Sequence, residues 1–159
     1  MLKESEFKRY LDMAAAQYAT KAVIAIFDLD DDCAGPILDR IAPWVADRGV
    51  PFAAIMPRRE YEAWFLAGVE TLRGRRVIRE DATYHANPEI VRGAKSAIEK
   101  LLIPGKRYVE TADQPAFSEL FSLEQAYRRS SSFRKLVKEL CRLLTELGHQ
   151  PHVPANWSV

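Results

Sequence analysis

"KAVIAIFDLDDDCAGP", residues 21–36, decides how this chain is read. After Lys21, its next six residues form a short, continuous apolar run rich in branched side chains, the pattern of a strand buried on both faces. Asp28, Asp30, Asp31 and Asp32 follow at once, four carboxylates in five positions. Charges of one sign packed this closely repel, so the crowding requires a chemical reason. Gly35 and Pro36 then open a helix, because proline is favoured in a first helical turn. Ile37, Leu38, Ile41 and Val45 supply its apolar stripe and Gly49 closes it.

Outward from this stretch, strands and helices alternate. Residues 3–19 have the apolar spacing of an amphipathic helix, with Phe7, Tyr10, Leu11, Ala14 and Tyr18 on one side. "VPFAAIM", 50–56, reads as a second buried strand, and 58–68 as a helix with Tyr61, Trp64 and Phe65 turned inward. Alternation of this kind predicts a parallel sheet with right-handed crossovers. Residues 70–87 are irregular, with one short strand at 76–78. A helix is expected from Pro88, a loop over 104–114, and a short helix from Pro115. The last helix, 131–147, takes Ser130 or Ser131 as its cap. It aligns Phe133, Leu136, Val137, Leu140, Leu144 and Leu147, and Gly148 ends it. Residues 1–148 therefore read as a single domain and 149–159 as a tail.

The 159 residues suit one domain, and an apolar content of 48% builds a core. Charged residues make up 28% and nearly balance at +1, so composition alone does not announce a nucleic-acid protein. A bound cation can nevertheless supply local positive charge. Cys33 and Cys141 fit no metal-ligand spacing and read as free thiols of a reducing, cytoplasmic compartment. No run approaches the ~20 apolar residues of a membrane span, so no membrane partner is expected.

The acidic run lies at the carboxyl end of the first strand, where open α/β sheets bind ligands. Residues two apart on a strand share a side, so Asp28 and Asp30 aim at one point if the extended geometry persists. Mg²⁺ or Mn²⁺ is the counter-charge this pairing asks for, because Mg²⁺ takes one or two carboxylates together with waters and substrate phosphate. Acids are also at home at a helix N-terminus, and Asp31 or Asp32 equally suits capping of the helix near Pro36. Asp32 is the third candidate ligand in the run. A calcium loop is rejected, since Cys33 stands where glycine is needed and Asp39 where glutamate is. A phosphatase of the haloacid dehalogenase type lacks its second acidic pair here.

"AIFDLDDDC", "MPRREYEAWFLAG", "GAKSAIEKLL", "YVETADQPAF" and "SSSFRKLVKEL", in that order, resemble an uncharacterised bacterial domain family with a TOPRIM-like fold. The resemblance runs from about residue 2 to 147 and is distantly similar to OLD-type nucleases. It implies an α/β fold with a TOPRIM-like parallel sheet flanked by helices and a helical C-terminal part. It implies Mg²⁺ held at a phosphodiester by Asp28 and Asp30, with Glu62 as a further acidic ligand or else a residue of a solvated helix face. Lys95 would meet phosphate charge, or else face solvent. Relatives open with a strand bearing a catalytic glutamate. This chain opens with a helix, so neither Glu4 nor Glu6 takes that role, and a sheet one strand short leaves an edge for pairing with another chain.

Two functions are consistent with these residues. One is a Mg²⁺-dependent nuclease or other phosphoryl-transfer domain acting on DNA or RNA, working with an ATPase partner. The other is a catalytically degenerate interaction module without the N-terminal glutamate, forming a homodimer or binding another protein. Trp64 and Phe65 read as core and not as base-stacking residues. Arg58 and Arg59, and the "RGRR" cluster of Arg73, Arg75 and Arg76, are the candidates for phosphate contact, or else solvated loop residues. Asp113 and Gln114 are placed in a loop, where they hold a neighbouring helix or touch substrate.

Overall fold

The computed structural model describes residues 3–157. In order, the elements are α1 (Glu4–Ala15), β1 (Val23–Ile26), α2 (Ala34–Val45), β2 (Phe52–Ile55), α3 (Ala63–Ala67), α4 (Ala94–Glu99), α5 (Glu110–Leu120), α6 (Leu123–Arg129) and α7 (Ser131–Glu146). The class is α/β and mostly helical. Contacts group the chain into two compact units, one of Met1–Phe27, Asp32–Met56 and Leu136–Val159, the other of Asp28–Asp31 and Pro57–Lys135. Among the described residues no helix is long and apolar enough to cross a membrane. Cys33 and Cys141 are unbonded.

In the first unit, β1 and β2 pair in parallel with Val23 opposite Phe52 and Ile26 opposite Ile55. The crossover is α2, which runs through Pro43 into a 3-10 turn at Ala46–Arg48. Gly49 stops it at φ +66, a left-handed setting that glycine adopts without strain. The core gathers around Phe7, whose ring meets Phe27, Trp44 and Phe52 at 6.4, 5.7 and 6.1 Å. Ile41, Ile55 and Leu143 are buried with it. The expectation that β1 is buried on both faces is corrected: its residues are partly exposed and Ile26 is 43% exposed. Among the described strands only β2 pairs with β1, so the apolar run has fewer neighbours than a central strand of a wide sheet.

In the second unit the core is aromatic. Phe65 meets Tyr61, Phe117 and Phe121 within 5.6 Å, and Trp64 meets Phe133 at 5.3 Å. Trp64 also donates its indole N–H to Ser132 Oγ at 2.9 Å, so the core reading of Trp64 and Phe65 holds. The helix expected over 58–68 shortens to α3, five residues buried on every side. That from Pro88 begins only at Ala94, after Gly93 at φ +73. The segment expected as a loop up to residue 114 is helical from Glu110, where Asp113 Oδ2 reaches back to accept the N–H of the capping residue Val109 at 2.7 Å. The short strand at 76–78 reduces to one antiparallel bridge, Ile78 with Leu102.

Candidate active site

Beyond β1 the parallel hydrogen bonding continues at alternate residues as far as Leu29, and Asp30 leaves its register by one. Leu29 N–H donates to Pro57 O at 3.1 Å and Asp30 N–H to Arg59 O at 3.1 Å. The extended geometry ends at Asp30, whose φ is +52, and Arg59 opposite it lies at φ +74. Aspartate tolerates the left-handed region and arginine does so less readily. Two such residues bonded to one another mark a loop held by its surroundings. The alternation that would aim Asp28 and Asp30 at one point therefore stops at the second of them.

Asp28 is half-buried, and its Oδ1 accepts the Tyr61 N–H at 2.8 Å. Burial is the main reason its carboxyl is pushed up to about 6. The Tyr61 N–H opposes, the charge of Glu62 adds to the rise, Lys95 opposes, and Asp30 adds a little more. Glu62 stands just before α3 and is wholly buried, which removes the solvated-face reading. Its Oε1 accepts the Tyr108 hydroxyl at 2.9 Å and the Gln114 Nε2 at 3.4 Å. Its Oε2 has no partner among the described residues. Buried carboxylate oxygens are rarely left so, because each loses its hydration without replacement.

Lys95 sits in the first turn of α4, where its backbone N–H donates to Glu60 Oε2 at 3.0 Å. Its ammonium pairs with Glu110 at 2.9 Å. That bond, aided by the charges of Glu62, Glu110 and Asp28, keeps Lys95 protonated against partial burial. Asp31 receives both Arg59 and Arg92, the latter at 3.1 Å. A shallow cavity of about 160 Å³ lies among Asp30, Asp31, Arg59, Glu60, Arg92 and Gly93. Asp28, Asp30, Glu62 and Lys95 all belong to the second unit, whereas Asp32 is exposed in the first.

The densest basic cluster is largely committed to structure. Arg73 donates to the Ala82 carbonyl at 2.7 Å, and Arg76 grips the buried Asp113 through Nε at 2.9 Å and a second nitrogen at 2.8 Å. Tyr108 is the site residue that sequence reasoning missed, and Gln114 touches Glu62 from inside α5. The signal available was indirect: a glutamate flanked by Tyr61, Ala63 and Trp64 needs donors from elsewhere in the chain if it is buried.

Among the described residues no three His, Cys, Asp or Glu side chains converge as a preformed metal-holding group. The donor set still fits a divalent cation in the way Mg²⁺ is ordinarily taken, through two carboxylates with water and substrate completing the shell. The orphaned oxygen of Glu62, a residue whose charge helps to raise the Asp28 carboxyl, is the feature that such an ion would satisfy.

Fold and site together define an α/β domain with a buried carboxylate, a half-buried one and a protonated lysine within electrostatic range. The chain belongs to DUF4276, described as a domain of unknown function, whose family model matches residues 2–141. No curated protein and no solved structure matches the chain significantly.

Proposed function

We propose that this protein is a Mg²⁺- or Mn²⁺-dependent phosphoryl-transfer domain of TOPRIM-like type that cleaves phosphodiesters of DNA or RNA, with an ATPase as its partner. The single observation that carries the reading is the wholly buried Glu62 with one oxygen unpartnered, in electrostatic contact with a half-buried Asp28. A bound divalent ion would supply Lewis-acid polarisation of the phosphate. Asp28 and Glu62 would hold it, and Asp30 would act from the rim of the same loop. Lys95, kept cationic by Glu110, would offset charge building on the phosphate oxygens. The likeness to OLD-type nucleases supports the ATPase partner and rests on the ordered motifs alone.

Incubation of the protein with labelled DNA and with labelled RNA in Mg²⁺ or Mn²⁺ tests this reading. Cleavage is expected in one of them, falling at least 100-fold in Asp28→Ala. Cleavage at the wild-type rate in that variant removes the proposal. A second reading, a non-catalytic interaction module, is favoured by the apolar groove of about 350 Å³ against β1, lined by Phe7, Tyr10, Leu11, Val23, Ile26 and Phe52 among others. Divalent binding without turnover, together with a stable homodimer in sedimentation, would select it.

A further inference from the structure

The hydrogen bonds of Glu62 are unevenly shared. Two donors converge on Oε1 and none reaches Oε2 among the described residues. A carboxylate in a site of this burial gains most by spreading its donors over both oxygens, so the asymmetry points to an occupant for the second oxygen.

The donors are themselves held. The Tyr108 ring stacks on Phe117 at 6.1 Å with the planes 21° apart. Phe117 is wholly buried and packs edge-on against Phe65 at 5.6 Å. Phe65 lies three residues after Glu62, on the helix that Glu62 precedes. Gln114 and Phe117 stand three apart in α5 and so face the same way. Phe117 and Phe65 thus tie the ring that carries the Glu62 donor back to the helix that Glu62 precedes.

Resting on the metal-dependent reading above, we propose that Tyr108, seconded by Gln114, is a positioning residue: it anchors Glu62 Oε1 so that Oε2 is presented to a divalent cation shared with Asp28. Partners that orient a ligand from behind commonly change metal affinity 10- to 100-fold when removed. Tyr108→Phe keeps the ring and its stacking and deletes only the hydroxyl.

Mn²⁺ binding to the full chain, followed by calorimetry and by the paramagnetic resonance of free Mn²⁺, reads the effect without substrate. Wild type is expected to bind, Glu62→Gln to lose binding, and Tyr108→Phe to weaken it at least 10-fold with an unchanged far-ultraviolet circular dichroism spectrum. Phe117→Leu, which loosens the packing and keeps the hydroxyl, is expected to lower thermal stability more than Tyr108→Phe and affinity less. If Glu62→Gln abolishes binding while Tyr108→Phe binds as wild type does, the positioning role is overturned and the metal site stands. If affinity follows stability across both variants, Tyr108 is a packing residue only. If the wild type binds no Mn²⁺, or Glu62→Gln binds it equally, the metal-dependent reading falls, and the inference with it.

Discussion

A carboxyl whose pKa stands at about 6 in the folded chain, against 3.8 ordinarily, favours folding only while it is protonated. Its contribution to stability is complete below about 4 and is lost as the pH rises through 6. A displacement of that size corresponds to about 3 kcal/mol. Solvent around a half-buried group screens much of it, leaving on the order of 1 kcal/mol. Asp28→Asn retains an oxygen for the Tyr61 N–H and removes the charge. The variant is expected to melt a few degrees above wild type at pH 7.5 and level with it at pH 4, a difference that calorimetric scans at the two pH values would show. Equal melting at pH 7.5 would mean that the Asp28 charge costs the fold nothing. Asp28 was legible as a special residue because acids rarely crowd a strand end. The burial of Glu62 was not legible. Helical periodicity assigns a solvated face to residues 58–68, whereas α3 has none, and the groups that cover Glu62 arrive from Tyr108 and α5, 46 and 52 residues away.

Three helices, α4, α5 and α7, begin where a distant or neighbouring carboxylate takes up backbone N–H groups. Glu89 is buried ahead of α7 and accepts from the Ser131 N–H at 2.9 Å, the Ser132 N–H at 2.7 Å and the Ser130 hydroxyl at 2.8 Å, with the Ser131 hydroxyl added. Burial alone would raise its carboxyl, but the hydrogen bonds from Ser131, Ser132 and Ser130 together outweigh it and hold the value below 4.5. Its stabilisation is therefore present above about 4.5 and is lost as the pH falls through the depressed value. Glu89→Ala leaves several buried donors unpaired and is expected to cost about 3 kcal/mol in urea unfolding at pH 7. The gap to wild type should narrow on acidification. A cost under about 0.5 kcal/mol would show that water replaces the carboxylate. The serine run located this helix start to within a residue, since Ser130 Oγ does accept the Phe133 N–H at 3.0 Å. The buried face lies a little off the axis that the spacing predicts: Phe133, Val137 and Leu143 are buried while Leu140 and Leu144 stay partly exposed. Asp113 shows why α5 was harder to see. Pro115 suggests a start in the sequence, but the start is made at Glu110 by a side chain paired with Arg76, 37 residues away.

At the scale of the whole molecule, a net charge of +1 and the internal use of Arg73 and Arg76 limit how many phosphates the protein can neutralise. Arg59 is turned onto Asp31 as well. Arg58 is exposed, and Arg92 and Lys95, although paired with Asp31 and Glu110, keep 75% and 41% of their side chains accessible, so these three are the cations assigned here to phosphate contact at the site. Each phosphate neutralised on a duplex contributes a slope of about −0.9 to the dependence of log affinity on log salt, and about −0.7 on a single strand. Binding to a short duplex is therefore expected to follow a slope near −3, measured by fluorescence anisotropy between low and physiological salt with Ca²⁺ in place of Mg²⁺ to suppress cleavage. Arg92→Ala should make the slope shallower by about 1 and leave the preference among sequences unaltered, because a phosphate contact carries no base information. A wild-type slope near −8 would require a basic surface that these three residues do not provide, and would move the nucleic-acid interface away from the Asp28 and Glu62 site.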